Sequence, residues 1–171
     1  MQTRVLVAYA TKYGATAGIA EKIGQVLREQ GLQADVLPAE QVRDLSPYGA
    51  VVLGSAVYMF RWRKPAAAFL KAHEKALAER AVWLFSSGPT SGEDPASFLE
   101  GKLLPDGLQP IAERIRPRGI ASFHGALNAD RLSFIEKFMM KNMKQPLGDF
   151  RRWDAITAWA TDIAAALKSN A

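Results

Sequence analysis

Apolar and polar residues alternate along the chain in blocks that predict strands and helices in turn. Short apolar runs bounded by turn residues are typical of buried parallel strands, and they cover residues 4–9, 33–37, 50–54, 80–85 and 119–123. Apolar residues at helical spacing predict helices over residues 15–30, 65–78, 110–115, 130–143 and 154–168. This alternation predicts an α/β fold with a parallel sheet and helices on both faces.

The predicted sheet indicates where a ligand would bind. In open parallel sheets, ligands lie beyond the carboxyl ends of the strands, near the point where the strand order reverses. The segments that follow Tyr9, Leu53, Phe85 and Phe123 are therefore the candidate binding loops.

The loop after the first strand leads directly into a helix and is rich in hydroxyl groups. It comprises Thr11, Lys12, Tyr13, Gly14, Ala15 and Thr16. Free N–H groups and the helix dipole favour a phosphate at such a place. The motifs G-x-G-x-x-G and G-x-x-x-x-G-K-[ST] are absent, which argues against dinucleotide folds of that type and P-loop ATPases. The alternative is a strand–helix turn with no ligand.

The segment after the third strand carries three aromatic residues within five positions. Its predicted cofactor contacts are Ser55, Ala56, Val57 and Tyr58. A flat apolar ring such as isoalloxazine would suit these aromatic side chains. Trp62 is predicted to contact a substrate or a membrane, with packing of Phe60 and Trp62 under the following helix as the alternative.

The two remaining loops give weaker signals. Ser86, Ser87, Gly88 and Pro89 form a small polar loop whose backbone N–H groups are predicted to face the edge of a bound ring. His124 follows the fifth strand, where a histidine can contact a substrate carboxylate or move a proton; a structural histidine is the alternative. We expect no metal site, since the two histidines lack a convincing set of carboxylates.

Composition and charge narrow the function classes. The chain has no cysteine, which excludes disulfides, cysteine nucleophiles and iron–sulfur clusters. Eight basic and three acidic residues lie between Arg116 and Arg152, so this segment accounts for the whole net charge of +5. We expect a cytoplasmic protein with an anionic partner that is not nucleic acid.

The start of the chain resembles the flavodoxin superfamily, whose phosphate loop reads T/S-x-T-G-x-T. Thr11, Gly14 and Thr16 match this pattern, whereas Tyr13 replaces the middle hydroxyl residue. The resemblance implies bound FMN and a doubly wound, flavodoxin-like five-stranded sheet in the order 2-1-3-4-5. Residues 1–171 then form one domain, with an insertion at about residues 128–150 that carries an amphipathic helix after strand five.

Nearly the whole chain resembles a narrower family with this fold, the menaquinone-dependent protoporphyrinogen dehydrogenases. The shared features are a basic residue after Thr11, the run G-S-A-V-Y followed by Phe69 and His73, the segment Gly125-Ala126-Leu127, the inserted residues 131–141, and Gly148-Asp149 before a last helix with Trp153. This resemblance implies oxidation of protoporphyrinogen IX to protoporphyrin IX, with a quinone as electron acceptor. It assigns no catalytic acid or base.

The predicted helix of the insertion is amphipathic. Lys137, Lys141 and Lys144 lie about 120–180° around the helix from Leu132, on the side opposite its apolar residues. Such a helix suits an anionic membrane surface at the inner face of the cell membrane, or the propionates of a porphyrinogen. Packing on the protein's own sheet or on a second copy is the alternative.

Three other functions stay open from the sequence. They are a non-catalytic electron carrier, a quinone reductase with another substrate, and a membrane-associated binding module without FMN. Carriers of this fold tend to be acidic, and the local positive charge argues against that class.

Overall fold

A computed structural model of the chain describes residues 3–88, 104–127, 133–136, 138 and 148–170. The strands are β1 (Arg4–Ala10), β2 (Gln33–Pro38), β3 (Ala50–Tyr58), β4 (Arg61–Trp62), β5 (Ala81–Ser87), β6 (Gly119–Phe123), β7 (Ala126–Leu127) and β8 (Gly148–Asp149). The helices are α1 (Ala15–Glu29), α2 (Lys64–Ala72), α3 (Glu74–Ala78), α4 (Gln109–Ile115) and α5 (Trp153–Ser169).

The main sheet of the described residues has the predicted parallel topology. Its strands lie in the order β2-β1-β3-β5-β6, with β4 paired to β3 outside this path. Apart from the two-residue β4, the parallel strands follow the predicted order 2-1-3-4-5. Each of them pairs in parallel with its neighbours, so their carboxyl ends share one edge of the sheet.

Helices cover both faces of the sheet, as the pattern predicts. Val5 and Val7 of β1 pack in a core cluster with α1 and α5, whereas Leu6 and Ala8 pack on the other face with α2, α3 and α4. This alternation follows from the two-residue period of a strand. Gly31 lies two residues after the end of α1, and its φ of +89° allows the turn that caps this helix. None of the helices in the described part of the chain is long and apolar enough to cross a membrane.

Two predicted boundaries were wrong. The helix predicted over residues 65–78 is divided into α2 and α3 at His73, whose backbone has φ −110° and ψ 15°. Strand β3 continues four residues beyond its predicted end at Gly54, because Ser55 and Ala56 still pair with β5 and residues 57–58 pair with β4 in an antiparallel hairpin. Residues 55–58, predicted as a loop, are therefore part of a strand.

The predicted insertion leaves and rejoins the domain at one place. Ala126 and Leu127 pair antiparallel with Asp149 and Gly148, and the Phe150 N–H donates to the Gly125 carbonyl at 3.1 Å. Residues 134–136 and 138 are helical, in agreement with the predicted helix over residues 130–143, and the rest of that helix lies outside the described residues.

Candidate functional site

The loop after β1 forms a compact turn at the start of α1. Gly14, with φ +92°, is the residue before the helix, and its N–H donates to Thr11 Oγ1 at 2.9 Å. No side chain caps the helix, so the N–H groups of its first turn point towards the loop without a capping partner. These N–H groups provide the hydrogen-bond donors that a phosphate needs, and the helix dipole favours its negative charge.

Thr16 supports the assignment of a ligand to this loop. Its side chain is completely buried, and within the described part of the chain its hydroxyl has no hydrogen-bond partner. A buried polar group without a partner costs about 1–3 kcal/mol, so native structures rarely retain one without a reason. A phosphate in the loop would supply the missing acceptor.

Unpartnered buried polar atoms also occur elsewhere at this edge of the sheet. In the described residues they are Arg63 Nε, Ser122 Oγ and His124 Nδ1, besides Thr16 Oγ1. Arg63 directly precedes α2, Ser122 lies in the last part of β6, and His124 follows that strand. All four therefore lie at the carboxyl edge, where a ligand of a parallel sheet binds. The sequence pattern indicated Thr16 and His124 as site residues, but it gave no signal for Arg63 and Ser122.

Lys12 and Tyr13 contact residues outside their own loop. The Tyr13 hydroxyl donates to Glu136 Oε2, and Lys12 Nζ lies 3.5 Å from the same oxygen. Lys12 Nζ also lies 3.5 Å from the centre of the Tyr58 ring, a cation–π contact. Through these side-chain contacts, the first loop is linked both to the end of β3 and to the start of the inserted helix.

Glu136 is held in place by its own helix as well. Its Oε1 accepts the Ser133 N–H at 3.2 Å, and its N–H donates to Ser133 Oγ at 3.2 Å, the reciprocal pair of a capping box. The hydrogen bond from Tyr13, followed by those from Ser133, lowers the pKa of Glu136 from 4.5 to about 2. Burial and the bond to Glu136 raise the pKa of the Tyr13 phenol, so Tyr13 stays a neutral donor.

The turn between β3 and β4 presents two apolar residues to solvent. Met59 and Phe60 have φ angles of +52° and +62°, which residues other than glycine adopt only at an energetic cost. This geometry matches the two-residue hairpin turn with both central residues at positive φ. Both side chains are exposed, so the turn places apolar surface next to Tyr58.

Three predicted contacts have internal roles instead. Trp62 is buried in the core, and its Nε1–H donates to Ser86 Oγ at 2.9 Å. Of the alternative, the packing of Phe60 and Trp62 under the following helix, core packing holds for Trp62 and argues against its contact with a substrate or a membrane, whereas Phe60 is exposed. Ser55 Oγ accepts the Arg63 N–H at 2.9 Å and donates to the Ala56 carbonyl. The hydroxyls of Ser55 and Ser86 thus stabilise the β3–β4 hairpin.

The loop after β5 is only partly described. Gly88 has φ +131°, and its N–H donates to the Phe123 carbonyl at 2.9 Å, so this group does not face a ring as predicted. Ser87 is buried, and Pro89 lies outside the described residues. Ala56, Val57 and Tyr58 lie at the partly buried end of β3, next to the first loop. Their contact with a cofactor stays a prediction.

The lysines predicted to contact a substrate or a membrane belong to the insertion. Lys137, Lys141 and Lys144 lie outside the described residues. His124 is half-buried beside the site, and its contact with a substrate stays a prediction. Among the described residues, no group of three or more histidines and carboxylates has the arrangement of a metal site.

Comparisons with known proteins agree with this geometry. The chain is 25% identical to protoporphyrinogen IX dehydrogenase [quinone] from Escherichia coli (strain K12), over 94% of both chains. A flavodoxin from an archaeon has the same fold with a TM-score of 0.63 and 16% identity, over 96% of this chain and 99% of that one. Rubredoxin oxygen:oxidoreductase from Desulfovibrio gigas matches 97% of this chain with a TM-score of 0.62 and 14% identity.

The match to the Desulfovibrio protein covers 36% of that longer chain, so this chain corresponds to about a third of it. A family model described as a flavodoxin domain matches residues 6–153, which include every loop of the candidate site. FMN is the cofactor of this fold family, and the phosphate loop with its buried Thr16 hydroxyl fits that group. The chain belongs to the flavodoxin domain family and is a flavoprotein of the oxidoreductase class.

Proposed function

We propose that the protein oxidises protoporphyrinogen IX to protoporphyrin IX in three two-electron steps and passes the six electrons and six protons to three quinones, each of which becomes a quinol. The observation that carries this proposal is the alignment with the Escherichia coli enzyme. Because it covers 94% of both chains, it extends across the insertion as well as the flavodoxin fold. The closed insertion between β7 and β8 is consistent with this relationship.

The first loop has the donors to hold the cofactor phosphate. Thr11 fixes the turn through Gly14, and the Thr16 hydroxyl and the first-turn N–H groups are the donors that would contact the phosphate. Bound FMN supplies the two-electron chemistry that removes hydrogen from the macrocycle. The chain supplies the orientation of both reactants, with Tyr58 and the β3–β4 turn next to the cofactor loop.

Exposed apolar side chains occur in the two segments that Lys12 connects. They are Met59 and Phe60 in the β3–β4 turn, and Phe134, Ile135 and Phe138 in the inserted helix. Lys12 contacts both the Tyr58 ring and Glu136, so the β3–β4 turn and the start of the inserted helix lie on either side of Lys12. An apolar macrocycle and a lipid-soluble quinone are reactants that this surface would accept.

Anaerobic turnover tests the proposed function. FMN-loaded protein is mixed with protoporphyrinogen IX and a soluble naphthoquinone, and porphyrin fluorescence is followed with time. We expect fluorescence to rise only when protein and quinone are both present, with free FMN at the same concentration as the control. Fully FMN-loaded protein that produces no porphyrin above this control would remove the proposed substrate.

A non-catalytic electron carrier is the second candidate. The +5 excess between Arg116 and Arg152 opposes it, because carriers of this fold tend to dock through acidic surfaces on basic partners. The same turnover experiment separates the two, since a carrier would be reduced by a partner protein but would not oxidise the porphyrinogen directly.

We also propose that the insertion binds the anionic surface of a membrane. Ile135 and Phe138, which lie on the apolar face of the helix, are exposed, and this supports an outward role for that face. Replacing Lys137, Lys141 and Lys144 with Glu should abolish flotation with vesicles that contain phosphatidylglycerol. The control changes Lys71, Lys75 and Lys168 to Glu, with an equal change of charge elsewhere; equal flotation of both variants would exclude this surface.

A further inference from the structure

A carboxylate of the insertion occupies a pair of donors on the first loop. Glu136 Oε2 accepts the Tyr13 hydroxyl and lies 3.5 Å from Lys12 Nζ. The Lys12 and Glu136 side chains are 23% and 28% exposed, so the contact is accessible from solvent along one side. The neutral Tyr13 hydroxyl and the Lys12 ammonium group contact the same carboxylate oxygen, and such charge-assisted contacts bind a carboxylate strongly.

The surroundings of this pair suit a carboxylate as well. The Tyr58 ring holds the Lys12 ammonium at 3.5 Å, which fixes the cation next to the exposed Met59 and Phe60 turn. The positive charge of Arg63 acts on Tyr13, and Arg63 Nε is buried with no partner in the described part of the chain. A ligand with an apolar body and a carboxylate would find complementary groups for both parts.

The phosphate donors form a different set. Thr11, Gly14 and Thr16 face the turn itself, whereas the Lys12 and Tyr13 side chains reach to Tyr58 and to the insertion. Lys12 and Tyr13 are therefore available for a second anionic group next to the cofactor.

We propose that Lys12 and Tyr13 form a recognition site for a substrate carboxylate, and that Glu136 is its internal competitor. This inference rests on the proposed function only for the identity of the substrate, since a porphyrinogen carries apolar pyrrole rings and carboxylates. A ligand carboxylate displaces Glu136 from Lys12 and from the Tyr13 hydroxyl, which ends the contact of Glu136 with the first loop. Only molecules whose donors are free of Glu136 can bind the ligand. The apparent association constant of the ligand is therefore the intrinsic constant multiplied by the fraction of such molecules.

The test measures binding of 1-pyrenebutyrate to FMN-loaded protein by fluorescence anisotropy, with uncharged 1-pyrenebutanol as the reference probe. Glu136→Gln should raise the affinity for the butyrate about fivefold or more, because it removes the charged competitor. The affinity for the butanol should not change. Glu113→Gln, an equal change of charge on an exposed position of α4, should leave both affinities as in the unmodified protein.

Lys12→Met provides the opposite variant. It should reduce the affinity for the butyrate to that for the butanol, and circular dichroism with FMN absorbance verifies that each variant is folded and loaded. If Glu136→Gln leaves the preference for butyrate unchanged, or if Lys12→Met retains it, the proposal is overturned.

The outcome is independent of the proposed reaction. If the butyrate results are as expected and protoporphyrinogen is not oxidised, the carboxylate site holds and the porphyrinogen assignment fails. If protoporphyrinogen is oxidised and the butyrate preference is unaffected by both variants, the reaction holds and this site is refuted.

Discussion

At the scale of single residues, Gly54 shows how closely the core is packed beneath the site. A Cβ atom at this position would lie 2.0 Å from Cζ of Phe85, and two further atoms of the same ring are within 2.3 Å. Phe85 is fully buried between β3 and α5, so its ring cannot move aside into solvent. A glycine is therefore required where β3 passes this ring.

We expect Gly54→Ala to lower the free energy of unfolding by about 3 kcal/mol, the upper range for overpacking a core. Urea unfolding at a fixed FMN concentration measures the change. Gly107→Ala is the control, since no atom lies within 4 Å of its added Cβ, and it should change stability by less than about 0.5 kcal/mol. Equal stability of the two variants would contradict the packing described here.

Glu136 makes the folded state depend on pH. Because its pKa falls from 4.5 to about 2 on folding, the unfolded state binds more protons in this interval. Its contribution to stability is complete above about pH 5 and is lost as the pH falls from 4.5 towards 2. Carbon-13 NMR of the glutamate carboxyls should show this shift, and Tyr13→Phe should return the pKa of Glu136 towards 4.5. A Glu136 that titrates near 4.5 in the unmodified protein would refute the contact.

The residues of the site were predictable to different degrees. Thr11, Gly14 and Thr16 lie within one local turn, so their spacing was enough to predict this loop as a candidate phosphate site. The partner of Tyr13 lies 123 positions away in the insertion, and no local pattern indicates it. The hydrogen bond between Trp62 and the Ser86 hydroxyl was not predictable either, because it depends on how β4 folds back on β3.

At the scale of secondary structure, the β7–β8 pair separates the insertion from the rest of the fold. Leu127 and Gly148 are opposite partners in an antiparallel pair, which is the position from which a two-residue turn can start. The main sheet and its helices do not depend on this pair for their own pairing.

Replacing residues 128–147 with Asn-Gly should therefore give a folded protein that still binds FMN. Asn-Gly favours the hairpin turn that joins such partners. Retained FMN binding and one cooperative thermal transition, together with loss of binding to anionic vesicles, are the expected results. An unfolded product would mean that the fold depends on the insertion, and a folded product that binds FMN only weakly would mean that the insertion is part of the cofactor site.

Continuous apolar runs mark the buried parallel strands, so the strands themselves were predictable from the pattern, whereas their order was predictable only from the resemblance to the flavodoxin superfamily. The β3–β4 hairpin was not predictable, since its turn has Met59 and Phe60 at positive φ where the pattern would require glycine or asparagine. The division between α2 and α3 at His73 also lacks a proline or a glycine that would mark it. In both places, the tertiary arrangement overrides the local preference of the residues.

At the scale of the whole molecule, the described structure concentrates its unpartnered buried polar atoms at one edge of the sheet. Thr16, Arg63, Ser122 and His124 come from separate parts of the sequence and meet at the carboxyl ends of the strands. The sheet thus brings together groups that a bound ligand would satisfy. The family match and this arrangement agree on FMN in the loop after β1.

The FMN dissociation constant of Thr16→Val tests this account most directly. Valine retains the buried shape, so the apoprotein should be as stable as the unmodified one or slightly more stable, because an unpaired hydroxyl is removed. Loss of a hydrogen bond to a charged phosphate, worth about 1.5–3 kcal/mol, should weaken FMN binding about tenfold or more. Thr161→Val, which removes an exposed hydroxyl on α5, is the control. Flavin fluorescence titration should show weak binding for Thr16→Val alone, and an unchanged dissociation constant would contradict the phosphate site.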